Sequence, residues 1–188
     1  MRILCVCTAN LVRSPIAKVA FERALSLGGI EAEVASAGTA ALVGRPPLAD
    51  AAQAAQRLGL DITGERARQL EAKHLQDVDL VVAMTREHLR WAVALEPRIW
   101  PVAYTLKQLA RRVQAEPPTG DVASWLAEIA RERSKTEMLG RLAADDLMDP
   151  VRQGRRAIFA CAEEIVRLVD EVVAGLWGPL RRAVGPLG

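Results

Sequence analysis

The sequence is poor in the residues that advertise several common chemistries. It has three cysteines in 188 residues, an odd number with no framework spacing, which argues against a disulfide-stapled secreted domain. Its two histidines, His74 and His88, have no metal-ligand spacing with cysteine or carboxylates, so no metal is expected and both read as surface helix residues. No apolar run approaches the ~20 residues of a membrane span. Nothing at the start is apolar for long enough to be a signal peptide, so a reducing cytoplasm is the expected setting, without membrane insertion. There is no Walker-type glycine loop and no Gly-x-Gly-x-x-Gly, which removes two common nucleotide-binding designs. A formal net charge of +2, with the arginines scattered, argues against nucleic acid as a partner.

What is present reads as one ordinary globular domain, 51% apolar and 26% charged. Short apolar runs at 2–6, 31–36, 79–83 and 99–103 are strand candidates, and helical patterns at 15–28, 48–58, 85–95, 104–115 and 154–174 fill the gaps. Such alternation predicts an α/β fold, a four-stranded parallel sheet flanked by helices on both faces. Residues 116–145, opening on Pro117-Pro118-Thr119-Gly120, break the rhythm and read as a helical insertion before the final helix. The domain is expected over 1–175, and 176–188, with Gly178-Pro179 and Gly185-Pro186, as a tail.

The most informative stretch is Cys7-Thr8-Ala9-Asn10-Leu11-Val12-Arg13-Ser14, between the first strand and the first helix. Ser14 before Pro15 reads as a helix N-cap with proline in the first turn. The loop amides then face a concavity at the positive end of a helix, an anion site whose usual guest is phosphate. Cys7 at its mouth makes a reaction site, because a thiolate is a nucleophile. Arg13 can grip two phosphoryl oxygens at once. The loop also falls at the carboxyl end of a strand, where parallel sheets bind ligands. Thiolate attack on a phosphate ester needs a proton donor for the leaving oxygen, and Asp149 in Asp-Leu-Met-Asp-Pro is the best candidate, since Pro150 keeps it on an extended loop. Asp145 and Asp146 read as ordinary exposed charges. Cys5 and Cys161 read as core residues, the four tryptophans as core or interface packing, and Arg155-Arg156 and Arg181-Arg182 as solvated faces.

On these residues the chain resembles the low-molecular-weight protein tyrosine phosphatase family. Cys7 to Ser14, continued by Pro15-Ile16-Ala17, is similar to the family's Cys-x-x-Asn-x-x-Arg-Ser loop. Ser36-Ala37-Gly38-Thr39 with Gly44 and Pro46, then Ala67-Arg68-Gln69-Leu70, then Asp149-Pro150, resemble three further family segments. The similarity runs over roughly residues 1–110 and 145–173. Ala41-Leu42-Val43-Gly44 looks most like bacterial members acting on autophosphorylating tyrosine kinases of polysaccharide export. The resemblance implies Cys7 as the nucleophile of a phosphocysteine intermediate and Asp149 as general acid and base. Arg13 and the amides of Thr8, Ala9, Asn10, Leu11 and Val12 would bind the phosphoryl oxygens. It also implies Asn10 and Ser36 as loop braces, Ser14 as a donor to the thiolate, no cofactor, and a phosphotyrosine-bearing protein as partner. Nothing in the sequence fixes the oligomeric state.

Five positions depart from the family pattern. Val12 stands where a second cysteine is usual, Lys18 for glutamate, Glu65 for a loop-bracing histidine, Thr85 for aspartate, and Val151 for the aromatic residue at the pocket mouth. A carboxylate at Glu65 can accept hydrogen bonds but brings negative charge towards the network around Cys7. The insertion offers a substitute aromatic wall through Trp125, and Arg152 or Arg155 could meet an acidic substrate tail. Three other functions compete with phosphotyrosine hydrolysis. Thioredoxin-coupled arsenate reductases share the loop but need a pair of resolving cysteines, and 70–100 contains none. Arginine phosphatases tend to carry threonine at the place of Leu11. A phosphoprotein-docking module with decayed catalysis would explain Glu65, Thr85 and Val151, but needs neither a thiol nor an acid.

Overall fold

A computed structural model describes residues 1–140 and 142–183. Four strands, β1 (Arg2–Cys7), β2 (Glu33–Gly38), β3 (Leu80–Ala83) and β4 (Ala103–Thr105), form one parallel sheet in the order β2-β1-β3-β4. The helices are α1 (Arg13–Leu27), α2 (Ala49–Arg57), α3 (Arg86–Leu95), α4 (Leu106–Ala115), α5 (Val122–Arg131) and α6 (Arg155–Ala183).

Strand residues alternate between faces, and β1 divides the core accordingly. Ile3, Cys5 and Cys7 join a cluster with Ile16, Phe21, Leu109 and Ile165 from α1, α4 and α6. Leu4 and Val6 face the other way, onto Leu75, Leu89 and Ala92. Cys7 therefore ends its strand on the α1/α6 side. The chain runs outward to β2 on one side of β1 and to β3 and β4 on the other. The order reverses at β1, and the crevice beyond its carboxyl end is where such sheets bind ligands.

The expected elements recur with shifted ends. The run at 99–103 becomes a 3₁₀ turn over Pro97–Val102 before β4, because Pro97 and Pro101 cannot donate to a sheet ladder. Helix α4 begins after Thr105, whose hydroxyl accepts from Gln108 N while the Gln108 side chain accepts from Thr105 N, a reciprocal cap. Helix α5 occupies part of the 116–145 segment. The expected tail is corrected at its start. Helix α6 continues to Ala183, with Leu176 and Trp177 buried, since apolar periodicity carries past Gly175. A Cβ at Gly175 would sit 2.7 Å from Val113 Cβ, so glycine there lets α6 close on α4. Residues 184–188 lie outside the described residues. Among the described residues, no helix is long and apolar enough to cross a membrane.

Candidate active site

The loop from Cys7 to Arg13 is turned by its own carbonyls. Cys7 O, Thr8 O, Ala9 O and Leu11 O accept from the amides of Thr39, Ala40, Leu42 and Leu48, at 2.9, 2.9, 3.4 and 3.1 Å. The carbonyls are drawn outward onto the 39–48 segment, and among the described residues the amides of 8–12 donate to no protein group. A ring of free N–H groups at a helix start is an anion cradle. Gly38 permits the close approach that makes it, because a Cβ there would lie 2.4 Å from Thr8 O.

One asparagine braces the ring. Asn10 holds φ at 57°, a left-handed backbone that asparagine tolerates better than most residues. Its Nδ2 donates to Ser14 Oγ and Ser36 Oγ, each at 2.9 Å, and its Oδ1 accepts from Arg68 N at 2.8 Å. Ser14 Oγ lies 2.9 Å from Cys7 Sγ. Because Ser14 accepts from Asn10, its own hydrogen is left for the sulfur at 2.9 Å, with Ala37 O as the longer alternative acceptor at 3.4 Å. The expected N-cap role of Ser14 is corrected: α1 starts at Arg13 after Val12, with no side-chain cap. The hydroxyl is used on the thiol instead of the helix end. Arg68 and Gln69, quoted in the sequence only as a matching segment, hold the neighbouring chain. Arg68 donates to Ser36 O, and Gln69 links Ala41 N and Thr39 O.

Arg13, buried at 4% exposure, donates to Leu147 O at 3.0 Å and Thr8 Oγ1 at 3.3 Å, and pairs with Asp149 Oδ2 at 3.1 Å. The other Asp149 oxygen accepts from Val151 N at 3.2 Å, so the Asp-Pro turn holds the carboxylate across the mouth. The loop carrying it is stitched to the end of β3. Leu147 N donates to Met84 O and Asp146 Oδ1 accepts from Arg86 N, at 2.8 and 2.7 Å. Asp145 and Asp146 are thus not the exposed charges expected. Asp145 is 3% exposed and bound by Arg111 and Gln108. Nothing in their spacing separates an anchor from a surface acid.

Thr85 and His88 are the larger surprise. His88 is 4% exposed rather than on the surface. Its Nδ1 meets Thr85 Oγ1 and its Nε2 meets Thr8 Oγ1, both at 2.9 Å. Burial first, and Arg13 second, push its pKa down to about 3, so the ring is neutral at ordinary pH. Thr85 Oγ1 accepts from His88 N at the α3 cap, and giving its hydrogen to Nδ1 puts the ring proton on Nε2. Nε2–H then donates to Thr8. With Arg13 also donating to Thr8, the Thr8 hydrogen is left to point at an anion in the cradle. The i, i+3 spacing of Thr85 and His88 at a helix start is the signal that could have found this pair.

Lys18 and Glu65, departures read separately, meet at 2.8 Å, with Glu22 also on Lys18 at 3.0 Å. Burial works against the Lys18 charge, but hydrogen bonds to Glu65 and Glu22 outweigh it and raise its pKa. The negative charge expected near Cys7 is thereby neutralised locally. The Asn10 carbonyl takes its bond from Arg68 N. Cys5 and Cys161 are buried core thiols, as expected. Burial raises both, Cys161 to about 12. Trp125 is also buried, its Nε1 donating to Glu116 O at 2.8 Å, and supplies no wall to the site. The cavity over Cys7, about 340 Å³, is walled instead by Leu11, Leu42, Leu48 and Val151, with Arg152 at its rim.

Over residues 2–116 the chain matches the family described as low molecular weight phosphotyrosine protein phosphatase. The chain belongs to that family. Similar curated phosphatases include the low molecular weight protein-tyrosine-phosphatase Etp of Escherichia coli, 37% identical over 97 residues, 52% of this chain and 63% of Etp. Wzb of Salmonella typhimurium is 35% identical over 98 residues, 52% of this chain and 63% of Wzb. The match therefore spans less than two thirds of these relatives. Among solved phosphatase structures, the enzyme from T. tengcongensis superposes with a TM-score of 0.70 at 28% identity, covering 92% of this chain and 97% of that one. The YwlE arginine phosphatase of Geobacillus stearothermophilus gives 0.71 at 26%, covering 96% of each. The family match ends at 116, before Asp149.

Proposed function

We propose that the chain hydrolyses phosphotyrosine on protein, in the cytoplasm, through a phosphocysteine intermediate on Cys7. The observation that carries this is the convergence on one cavity of the Cys7 thiol, the free loop amides, Arg13 and Asp149. The thiolate attacks phosphorus in line, and the phenolic oxygen leaves with the Asp149 proton. The amides of 8–12, Arg13 and the Thr8 hydroxyl hold the equatorial oxygens as charge redistributes. Ser14 steadies the sulfur, and Asn10 and Ser36 hold the loop. Asp149, now ionised, takes a proton from water attacking the phosphocysteine, and phosphate and thiolate are released. No cofactor enters the scheme.

The substrate reading rests on the aliphatic wall. Leu11, Leu42, Leu48 and Val151 can flank an aromatic ring, and the one carboxylate on the cavity wall, Asp149, is already paired with Arg13. An autophosphorylating tyrosine kinase is the partner suggested by the resemblance of Ala41-Leu42-Val43-Gly44 to bacterial family members that act on such kinases. Arginine phosphatase is the second reading, supported by the likeness to YwlE and opposed by Leu11. Phosphotyrosine, phosphoserine and phosphoarginine peptides are to be compared with para-nitrophenyl phosphate on wild type and Cys7→Ser. Phosphotyrosine turnover lost in Cys7→Ser is expected. Hydrolysis surviving that substitution refutes the mechanism, and preference for phosphoarginine refutes the substrate.

A further inference from the structure

A second cavity is larger than the one over Cys7. About 770 Å³ in volume, it lies behind the Asp149 loop, between α4 and the segment that follows α5. Four guanidinium groups, of Arg86, Arg111, Arg112 and Arg133, face it against two carboxylates, Asp145 and Glu137. Arg133, Glu137 and Asp145 fall after residue 116, so the family match does not account for this cavity.

The pairing within it is incomplete. Asp145 is taken by Arg111 and Gln108, and lies 3.6 Å from Arg86 Nε without a hydrogen bond. Arg133 stacks 3.8 Å from the Trp100 ring centroid and 4.0 Å from that of Tyr104, gives Nη1 to Trp100 O, and approaches Glu137 only to 3.9 Å. Its Nη2 is buried with no hydrogen-bond partner among the described residues, and its side chain is 2% exposed. Burial is the main influence on Arg133 and lowers its pKa, as for a cation poorly compensated. A buried charge left part-paired is costly, and low-dielectric walls focus its field into the adjoining space. The buried nitrogens supply charge rather than contact. Contact falls to Arg111 and Arg112, whose side chains are 52% and 32% exposed.

We propose that this cavity binds a small, multiply charged phosphate anion, either free or as the phosphate of an ester. Guanidinium forks match phosphoryl oxygens two at a time, and the volume lies within the roughly 300–1,000 Å³ of small-molecule sites. The site is independent of the proposed hydrolysis, although Asp145 on its wall is two residues from Leu147, whose carbonyl receives Arg13.

The test is calorimetric titration of the full chain carrying Arg13→Ala, which disables the catalytic cradle. The probes are pyrophosphate, ADP and, as a doubly charged control, malonate. One pyrophosphate site is expected to remain in Arg13→Ala, and to weaken at least tenfold when Arg133→Gln or Arg112→Gln is added. Arg112 pairs only with exposed Glu132 among the described residues, so its loss spares the fold and keeps the test decisive if Arg133→Gln unfolds. Pyrophosphate without ADP identifies the free ion, and both together the ester. No pyrophosphate or ADP binding in Arg13→Ala, affinity unchanged by Arg112→Gln, or malonate binding as tightly, each overturns the proposal. Para-nitrophenyl phosphate turnover by wild type, measured separately, reports on the catalytic reading alone.

Discussion

Substituting Asn10 by alanine and by glycine separates the two things this residue does. Either change removes three hydrogen bonds, two buried ones to Ser14 Oγ and Ser36 Oγ and a part-buried one from Arg68 N. At about 1 kcal/mol each, with a further cost for partners left unsatisfied, the common loss is on the order of 3–5 kcal/mol. That is a large share of the roughly 5–15 kcal/mol that holds a domain folded. The backbone conformation adds a second cost to only one of the variants. At φ 57° alanine pays about 1–2 kcal/mol for its Cβ, and glycine does not. Glycine is ordinarily the more destabilising of the two, through its unfolded-state freedom. Here the order should invert, with Asn10→Gly more stable than Asn10→Ala by about 0.5–1 kcal/mol. Urea unfolding with a common slope measures this directly. Both variants should lose most para-nitrophenyl phosphate turnover, because Ser14 and the loop amides are no longer held. Alanine equal to or more stable than glycine would refute the claim that the cradle depends on a left-handed residue at position 10.

Two further outcomes follow from the site. His88 has its pKa lowered from 6.5 to about 3 by burial and Arg13, so the unfolded chain binds more protons below pH 6.5. Its contribution is intact above that pH and is lost as pH falls towards 3, at up to ~1.4 kcal/mol per unit. The wild-type stability curve should therefore fall more steeply between pH 6 and 4 than that of His88→Gln, and parallel curves would sink the assignment. Asp149→Asn should cost about 10²-fold or more in kcat/KM, which stops at leaving-group departure, for phenyl phosphate, whose leaving group needs the proton. It should cost much less for para-nitrophenyl phosphate, whose leaving group is a weak base. Equal losses on both substrates would show that Asp149 is not the acid.

Much of this site was legible because its parts are local. A strand ending in Cys7 and a helix beginning at Arg13 are separated by a few residues, and their chemistry follows from that spacing. The parallel sheet followed from alternation, and the order of its strands put the crevice where the loop lies. What stayed hidden was long-range or depended on which way one side chain turns. Ser14 carries every mark of a helix cap, yet its hydroxyl is claimed by Cys7 and Asn10. His88 sits on an amphipathic helix, where its exposure depends on a threonine 80 residues earlier in the chain. Asp145 resembles its neighbour Asp146 in sequence and differs only in meeting Arg111 and Gln108 from α4. The passage of α6 beyond residue 175 also rests on Gly175 packing against Val113, a contact that no local signal reports.

The departures from the family pattern bear on whether catalysis has decayed, and the structure makes most of them compensate. Lys18 and Glu65, both departures, form a pair with each other, which bridges α1 and the 61–67 loop. Thr85 loses a carboxylate but caps α3 and fixes the His88 tautomer, which in turn leaves the Thr8 hydrogen for the cradle. Random loss would be expected to leave orphaned partners. Among the described residues, the buried polar side chains without a hydrogen-bond partner are at Arg86 and Arg133, in the second cavity, and none is in the cradle. Val12 and Val151 remain departures without a matching change; Val12 is an apolar loop residue, and Val151 alters the wall rather than the reacting groups. A chain retaining a satisfied cradle, a placed acid and a thiol, with only its rim reshaped, is better explained by altered substrate preference than by a docking role.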